Sequence, residues 1–178
     1  MKKMMMTLAA VLCCALTTTS FMACSSDDDD PVEEKTVVKY TYKLTIEPAT
    51  DADDQQDIVK TIINSPNNKG EMNPHEFSSY TDLLILSPGS NLTEVPASHT
   101  ITIDETLIPD VNLTKESYKL GLSYKLEVTS FDKNDGVIDY KGKGNDSRIT
   151  VPAANLGKIY PKTITLKFSV DEKGQISL

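Results

Sequence analysis

A regular alternation of apolar and polar residues is the feature that most restricts how this chain can fold. Residues 38–47 read VKYTYKLTIE, in which every even-numbered position is apolar. The same alternation returns in residues 120–128 and 164–170. Because successive side chains of a strand point to opposite faces, a period of two predicts strands with one buried face. The pattern places Leu122, Leu126 and Phe168 inward and Lys125, Glu127 and Lys167 outward.

Turn-forming residues separate these runs. The segment DKNDG at 132–136 lies between one alternating run and the apolar residues Ile138 and Tyr140, which predicts a hairpin. The segment DEKG at 171–174 leads to a short final strand in the same way. Shorter apolar runs predict further strands at 82–86, 99–103 and 149–151. Polar residues with Gly or Pro predict loops at 67–79 and in KGKGNDS at 141–147.

One segment breaks the period of two. Residues 51–64 begin with DADD and continue with apolar residues at helical spacing, which are Ile58, Val59, Ile62 and Ile63. Carboxylates are favourable at a helix N-terminus, so this segment predicts one helix near residues 51–64. Together with about eight strands and no strand–helix rhythm, the pattern favours a mainly β fold. We expect an antiparallel β-sandwich of immunoglobulin-like or similar type.

The first 23 residues have the features of an export signal. Lys2 and Lys3 precede an apolar run at 4–16, which is shorter than the roughly 20 apolar residues that span a bilayer. This size and polarity are typical of a signal peptide. The chain has three cysteines, and only Cys24 directly follows a small residue, Ala23. Residues 1–23 are therefore interpreted as a lipoprotein signal peptide, 24–35 as an acidic tether and 36–178 as a single β-rich domain.

The segment SFMAC at 20–24 resembles a bacterial lipobox, although Phe21 stands where that family usually has leucine. The resemblance implies that Cys24 is acylated and becomes the N-terminal residue of the mature protein. Two or three acyl chains hold a protein to a bilayer without a transmembrane helix, since each buried CH₂ contributes about 0.8 kcal/mol. The alternative is an ordinary signal peptide cut after Ala23, which leaves a free thiol.

The segment SSDDDD that follows resembles the export signal of Bacteroidota surface lipoproteins. The resemblance implies that Asp27, Asp28, Asp29 and Asp30 direct the lipid-anchored protein to the outer membrane, facing the cell exterior. Four adjacent carboxylates also repel anionic lipid and one another, and so form a hydrated spacer. The alternative is a solvated linker on a lipoprotein that faces the periplasm.

Charge and cysteine content exclude several classes of protein. The formal net charge is −8, and it becomes more negative on removal of residues 1–23, which carry two lysines and no acidic residue. Such a chain has no affinity for nucleic acid phosphates, so no nucleic acid partner is expected. No cysteine follows Cys24, which excludes disulfides, thiolate nucleophiles and cysteine-ligated metals from the domain.

Motifs that carry chemistry are weak in this sequence. The aspartates at 132–136 and 51–57 are explained by a hairpin turn and a helix cap, so calcium or another metal is not expected. KGKGN lacks the spacing of a phosphate-binding loop, and His75 and His99 lie in separate segments. No nucleophile motif is recognisable, and no cofactor is expected.

Aromatic residues near strand ends are the remaining candidates for ligand contacts. There is no Trp, and Tyr40, Tyr42 and Tyr124 lie on inward registers. Phe131, Tyr140 and Tyr160 lie near loops and could contact a glycan or protein ligand. The function that we expect is a non-catalytic binding or accessory module, tethered to the membrane through its lipid. The alternatives are a structural subunit of a fimbria-like surface assembly and a hydrolase with an unrecognised site.

Overall fold

The alternating runs form antiparallel strands in the computed structural model, which describes residues 38–78 and 81–178. The predicted signal peptide, the tether, Cys24 and the aspartates at 27–30 lie outside the described residues. The strands are β1 Lys39–Pro48, β2 Val59–Pro66, β3 Met72–Phe77, β4 Leu84–Leu86, β5 Ala97–Leu107, β6 Ser117–Leu120, β7 Leu122–Phe131, β8 Val137–Asp146, β9 Ile149–Pro152, β10 Lys162–Val170 and β11 Ile176–Ser177. Two short helices are α1 Gln55–Ile58 and α2 Leu156–Ile159, the latter preceded by a 3₁₀ turn at Ala153–Asn155.

Two larger sheets and one small sheet make up the described fold. The first sheet has the order β4-β1-β7-β8, the second has the order β11-β10-β5-β2-β3, and the third pairs β6 with β9. Every strand pair is antiparallel. The prediction of a mainly β, antiparallel sandwich is confirmed, with eleven strands in the described part of the chain rather than about eight.

The main core consists of the inward residues that the alternation predicted. Leu122, Leu126 and Phe168 are all buried, whereas Lys125 and Lys167 are exposed. Tyr40 and Tyr42 also lie in this core, and burial raises the pKa of Tyr40 to about 12 and that of Tyr42 above its usual value. The other large members of the core are Leu44, Ile46, Ile63, Phe77, Ile101, Ile103, Val128, Leu166 and Val170.

A second, smaller cluster packs apart from the main core. It joins residues of α1, the start of β2, the small third sheet, and α2 with the residue that follows it. They are Ile58, Val59, Tyr118, Leu120, Val151, Leu156 and Tyr160. The sequence did not predict this cluster, because Leu120 and Leu122 read as one continuous strand. In the structure Gly121 separates them, so that Leu120 ends β6 and Leu122 begins β7.

The helix predicted near residues 51–64 is wrong in its extent. Only Gln55–Ile58 is helical, and Val59–Pro66 forms β2 between β5 and β3. Val59, Thr61 and Ile63 are buried in alternation, as in a strand. The apolar residues Ile58, Val59, Ile62 and Ile63 fit the alternation of a strand as well as the spacing of a helix, and β-branched residues favour strands. The segment pairs with β5 on one side and with β3 on the other, and this pairing makes it a strand.

Two segments predicted as loops contain strands. The loop at 67–79 includes β3, and the segment KGKGNDS is strand as far as Asp146. Both β3 and β8 lie at the edge of their sheets. Edge strands tolerate Pro and Gly, since one side of the strand has no neighbour to pair with.

The predicted turns are confirmed, and they share one mechanism. Asp132 Oδ1 accepts hydrogen bonds from the backbone N–H groups of Asn134 and Gly136, at 2.7 and 2.8 Å. Asp171 Oδ1 does the same for Lys173 and Gln175. A short side chain that pairs with backbone two and four residues ahead stabilises a tight turn. Asp132 of DKNDG therefore has a structural role in the turn.

Candidate functional site

The outer face of the β7–β8 ribbon is the best candidate for a binding surface. A shallow, open depression of about 560 Å³ lies there, lined by residues 123–125 of β7 and by Tyr140 and residues 142–146 of β8. Strand β8 is the edge of the first sheet, and its residues 140–146 are all exposed. The surface is therefore reached from solvent without any movement of the chain.

Tyr140 dominates this face. Its side chain is 51% exposed although it lies in the middle of a strand. Its Oη donates a hydrogen bond of 2.5 Å to Glu127 Oε1, and a Cβ built on Gly142 would lie 3.5 Å from that Oη. The ring thus leans along β8 over the position where Gly142 has no side chain. Tyr140 is an exposed aromatic ring with a fixed orientation.

Glu127 holds two groups of this face in place. Its Oε1 accepts the Tyr140 hydroxyl and also lies 2.7 Å from Lys125 Nζ. The hydrogen bond from Lys125 and then that from Tyr140 lower the pKa of the Glu127 carboxyl. The same carboxylate raises the pKa of Lys125 and of Tyr140. A carboxylate, an ammonium group and an aromatic ring therefore form one connected cluster.

Two glycines in β8 allow close contacts beside this cluster. A Cβ on Gly144 would lie 2.8 Å from the backbone oxygen of Tyr124, so a side chain there would push β8 away from β7. Gly142 leaves room for the Tyr140 hydroxyl. Glycine inside a strand often marks such a close approach. Together the two glycines leave a shallow surface on which a flat ligand could lie.

The carboxylates of this face are badly placed for glycoside hydrolysis. Glu127 pairs with Gly142 and Ser123 pairs with Asp146, so the two acidic residues lie four positions apart along the ribbon. At about 3.3 Å per residue this is roughly 13 Å. The paired carboxyls of glycosidases lie about 5–9.5 Å apart. The geometry suits binding better than this hydrolytic chemistry.

The other predicted ligand contacts lie elsewhere. Tyr160 is only 5% exposed and packs in the smaller core cluster, so little of its ring is accessible to a ligand. Phe131 is half-buried at the end of β7, where it pairs with Lys39 and Val137. Tyr140 alone of the three is an exposed ring within the depression. Lys125 and Glu127 were missed as site residues, because only the strand register shows that they adjoin Tyr140.

Metal-binding side chains do not come together in the described part of the chain. In residues 38–78 and 81–178, no three His, Cys, Asp or Glu side chains are grouped as a metal site would need. His75 lies on β3 and His99 on β5, with β2 between them. His99 Nε2 lies 2.7 Å from Tyr40 Oη, and burial lowers the pKa of His99.

Comparison of the chain with protein-family models, with curated proteins and with solved structures gave no significant match. None of the helices in the described residues has the length and apolar character needed to cross a membrane.

Proposed function

We propose that this protein is a lipid-anchored cell-surface protein whose β-sandwich is a non-catalytic binding module for a glycan. The observation that carries the binding role is the exposed ring of Tyr140, held by Glu127 beside Gly142 and Gly144. A sugar has an apolar face that can lie on an aromatic ring, and hydroxyl groups that pair with charged side chains. Lys125 and Glu127 supply one donor and one acceptor next to that ring.

The rigidity of the cluster supports binding. A side chain that is already held by a hydrogen bond loses little conformational freedom when a ligand arrives, so more of the contact energy appears as affinity. Tyr140 and Lys125 are both held by the same carboxylate before any ligand binds. Such preorganisation is most useful on a shallow surface, where the contact area is small.

The membrane half of the proposal depends on the N-terminal sequence. Cys24 after an apolar run is the acylation site, and Asp27 to Asp30 form the export signal. Residues 24–35 could extend up to about 40 Å at roughly 3.3 Å per residue. An acidic, self-repelling segment of this length would hold the domain away from an anionic bilayer surface and leave its binding face accessible.

Cys24→Ala should abolish incorporation of labelled palmitate and release the protein from the membrane fraction. Replacement of the four aspartates at 27–30 by alanine should leave the label in place but reduce protease access on whole cells. The matched control is alanine at Glu172, an exposed acidic residue far along the sequence from the anchor. This half of the proposal would be contradicted if the Cys24→Ala protein still carried the label and stayed in the membrane fraction. It would also be contradicted if a protease could not reach the wild-type protein on intact cells.

Tyr140→Ala should weaken glycan binding by about ten- to a hundredfold. Burial of one aromatic side chain contributes about 1.5–3 kcal/mol, and each 1.4 kcal/mol is a factor of ten in Kd. The measurement is binding of the purified protein to an immobilised glycan array. Tyr140→Phe, which keeps the ring, should retain most of the affinity, and Thr165→Ala on the second sheet should retain all of it. Equal binding by wild type and Tyr140→Ala would remove this surface from the proposal.

A further inference from the structure

A buried polar group with no role in the proposed binding surface lies beside the smaller core cluster. Glu105 of β5 and Gln55 of α1 are each only 1% exposed. Glu105 continues the inward face of Ile101 and Ile103, and it pairs with Lys162 of β10 on one side and with Thr61 of β2 on the other. A carboxylate in this position is costly unless its neighbours compensate for lost hydration.

Two side chains contact the two oxygens of this carboxylate. Gln55 Nε2 donates a hydrogen bond of 2.7 Å to Glu105 Oε1. Lys162 Nζ lies 3.0 Å from Glu105 Oε2, but Oε2 has no partner with the angles of a hydrogen bond. The contact with Lys162 is therefore one of charge and proximity. The Lys162 amine and the Gln55 amide therefore both contact the buried carboxylate of Glu105.

The carbonyl end of the same amide is also held. The backbone N–H of Gly121 donates a hydrogen bond of 2.9 Å to Gln55 Oε1. A backbone donor at this position would stabilise negative charge that develops on the amide oxygen during attack at Cδ, as the donors of an oxyanion hole do. The amide thus has a donor at its oxygen and a carboxylate at its nitrogen.

We propose that Lys162 and Gln55 react to form an intramolecular amide cross-link, with Glu105 as the catalytic residue. Glu105 accepts a proton from the Lys162 ammonium, which leaves a neutral amine as the nucleophile. Lys162 Nζ forms a bond to Gln55 Cδ, Glu105 returns the proton to Nε2, and the bond from Cδ to Nε2 breaks. The departing ammonia takes the second proton lost from Nζ and leaves as ammonium. The exchange consumes no oxidant and no water, and the carboxylate is regenerated.

The surroundings suit this chemistry. The carboxylate and the amide are nearly inaccessible to water, which would otherwise compete for their hydrogen bonds. The three reacting groups are held on different elements of the fold, so that folding itself brings them together. The product would join α1 to β10, two elements that lie far apart in the sequence. No cysteine follows Cys24, so no disulfide could serve this purpose in a protein outside the cell.

The test is mass spectrometry of the full-length chain. Wild-type protein should be lighter than its sequence predicts, after allowance for any lipid, by the mass of one ammonia molecule. A protease digest should contain one branched species that joins the peptide of Gln55 to the peptide of Lys162. Lys162→Arg keeps the positive charge but cannot form the amide, so it should show neither the mass loss nor the branched peptide.

The control is Lys167→Arg on the same strand, whose exposed side chain lies on the outer face and which should keep the cross-link. Glu105→Gln should lose the cross-link, and circular dichroism will show whether that variant still folds. If it does not fold, Lys162→Arg decides the question. Wild-type protein without the branched peptide, a loss of ammonia from any other residue pair, or a cross-link that persists in folded Glu105→Gln overturns the proposal.

Discussion

Replacement of Gly121 by alanine should cost about 2–6 kcal/mol of the free energy of unfolding. Gly121 has φ +154°, and a Cβ on its backbone would lie 2.1 Å from the backbone oxygen of Ser147. That oxygen belongs to the short connection between β8 and β9, so a strand junction would have to move. A domain of this size has only about 5–15 kcal/mol in total, so the variant should lose a large share of its stability.

The position of Gly121 in the fold increases this cost. It is the residue at which the chain passes from the small third sheet to the first sheet, between Leu120 and Leu122. Its carbonyl accepts a hydrogen bond from the Ala49 N–H at 3.0 Å, and its own N–H donates to Gln55. A shift that relieves the clash would break both bonds.

Gly157→Ala is the matched control. Gly157 lies in α2, and a Cβ there would have no atom within 4 Å. Alanine is favoured over glycine in a helix by roughly 0.5–1 kcal/mol, so this variant should be as stable as wild type or slightly more stable. Urea denaturation followed by far-ultraviolet circular dichroism measures both. Similar midpoints for Gly121→Ala and wild type would show that the junction is not constrained as described.

The sequence predicted the sandwich because the alternating runs also carried its register. In 38–47, 120–128 and 164–170 every inward position was correctly predicted, apart from the break at Gly121 and the half-buried side chains of Tyr124 and Ile164. Pairing partners were not predictable, because a strand of alternating residues carries no information about which other strand it meets. Because the pairing partners were unknown, β2 was mistaken for a helix and the small third sheet was missed.

The candidate sites, too, were only partly predictable from the sequence. Tyr140 was predicted as a ligand contact from its place near a turn, but its partners Glu127 and Lys125 follow only from the β7–β8 register. Glu105 could have been noticed from the sequence, because the alternation of HTITIDET places it on the same face as Ile101 and Ile103. A carboxylate on an inward register indicates a partner, and only the fold shows that Gln55 and Lys162 supply it.

Leu126→Ala should lower the free energy of unfolding by about 2–5 kcal/mol, because the truncation of a buried leucine leaves a cavity in the core. Leu126 is among the most deeply buried side chains. It pairs with Leu44 of the neighbouring strand β1, and both residues belong to the main core. Its neighbour Glu127 lies on the opposite face, where changes usually stay within about 0.5 kcal/mol. Urea denaturation of Leu126→Ala and Glu127→Ala in parallel measures this difference.

The same pair of variants separates stability from binding. Glu127→Ala removes the acceptor that holds the Tyr140 hydroxyl and the Lys125 ammonium, so it should weaken glycan binding although its denaturation midpoint changes little. Leu126→Ala should show the reverse while it remains folded, because its side chain points away from the ring. A shift of one residue in register would exchange the two faces and therefore the two results. Equal loss of stability in both variants, or a larger loss in Glu127→Ala, would contradict the register on which the core and the binding surface both depend.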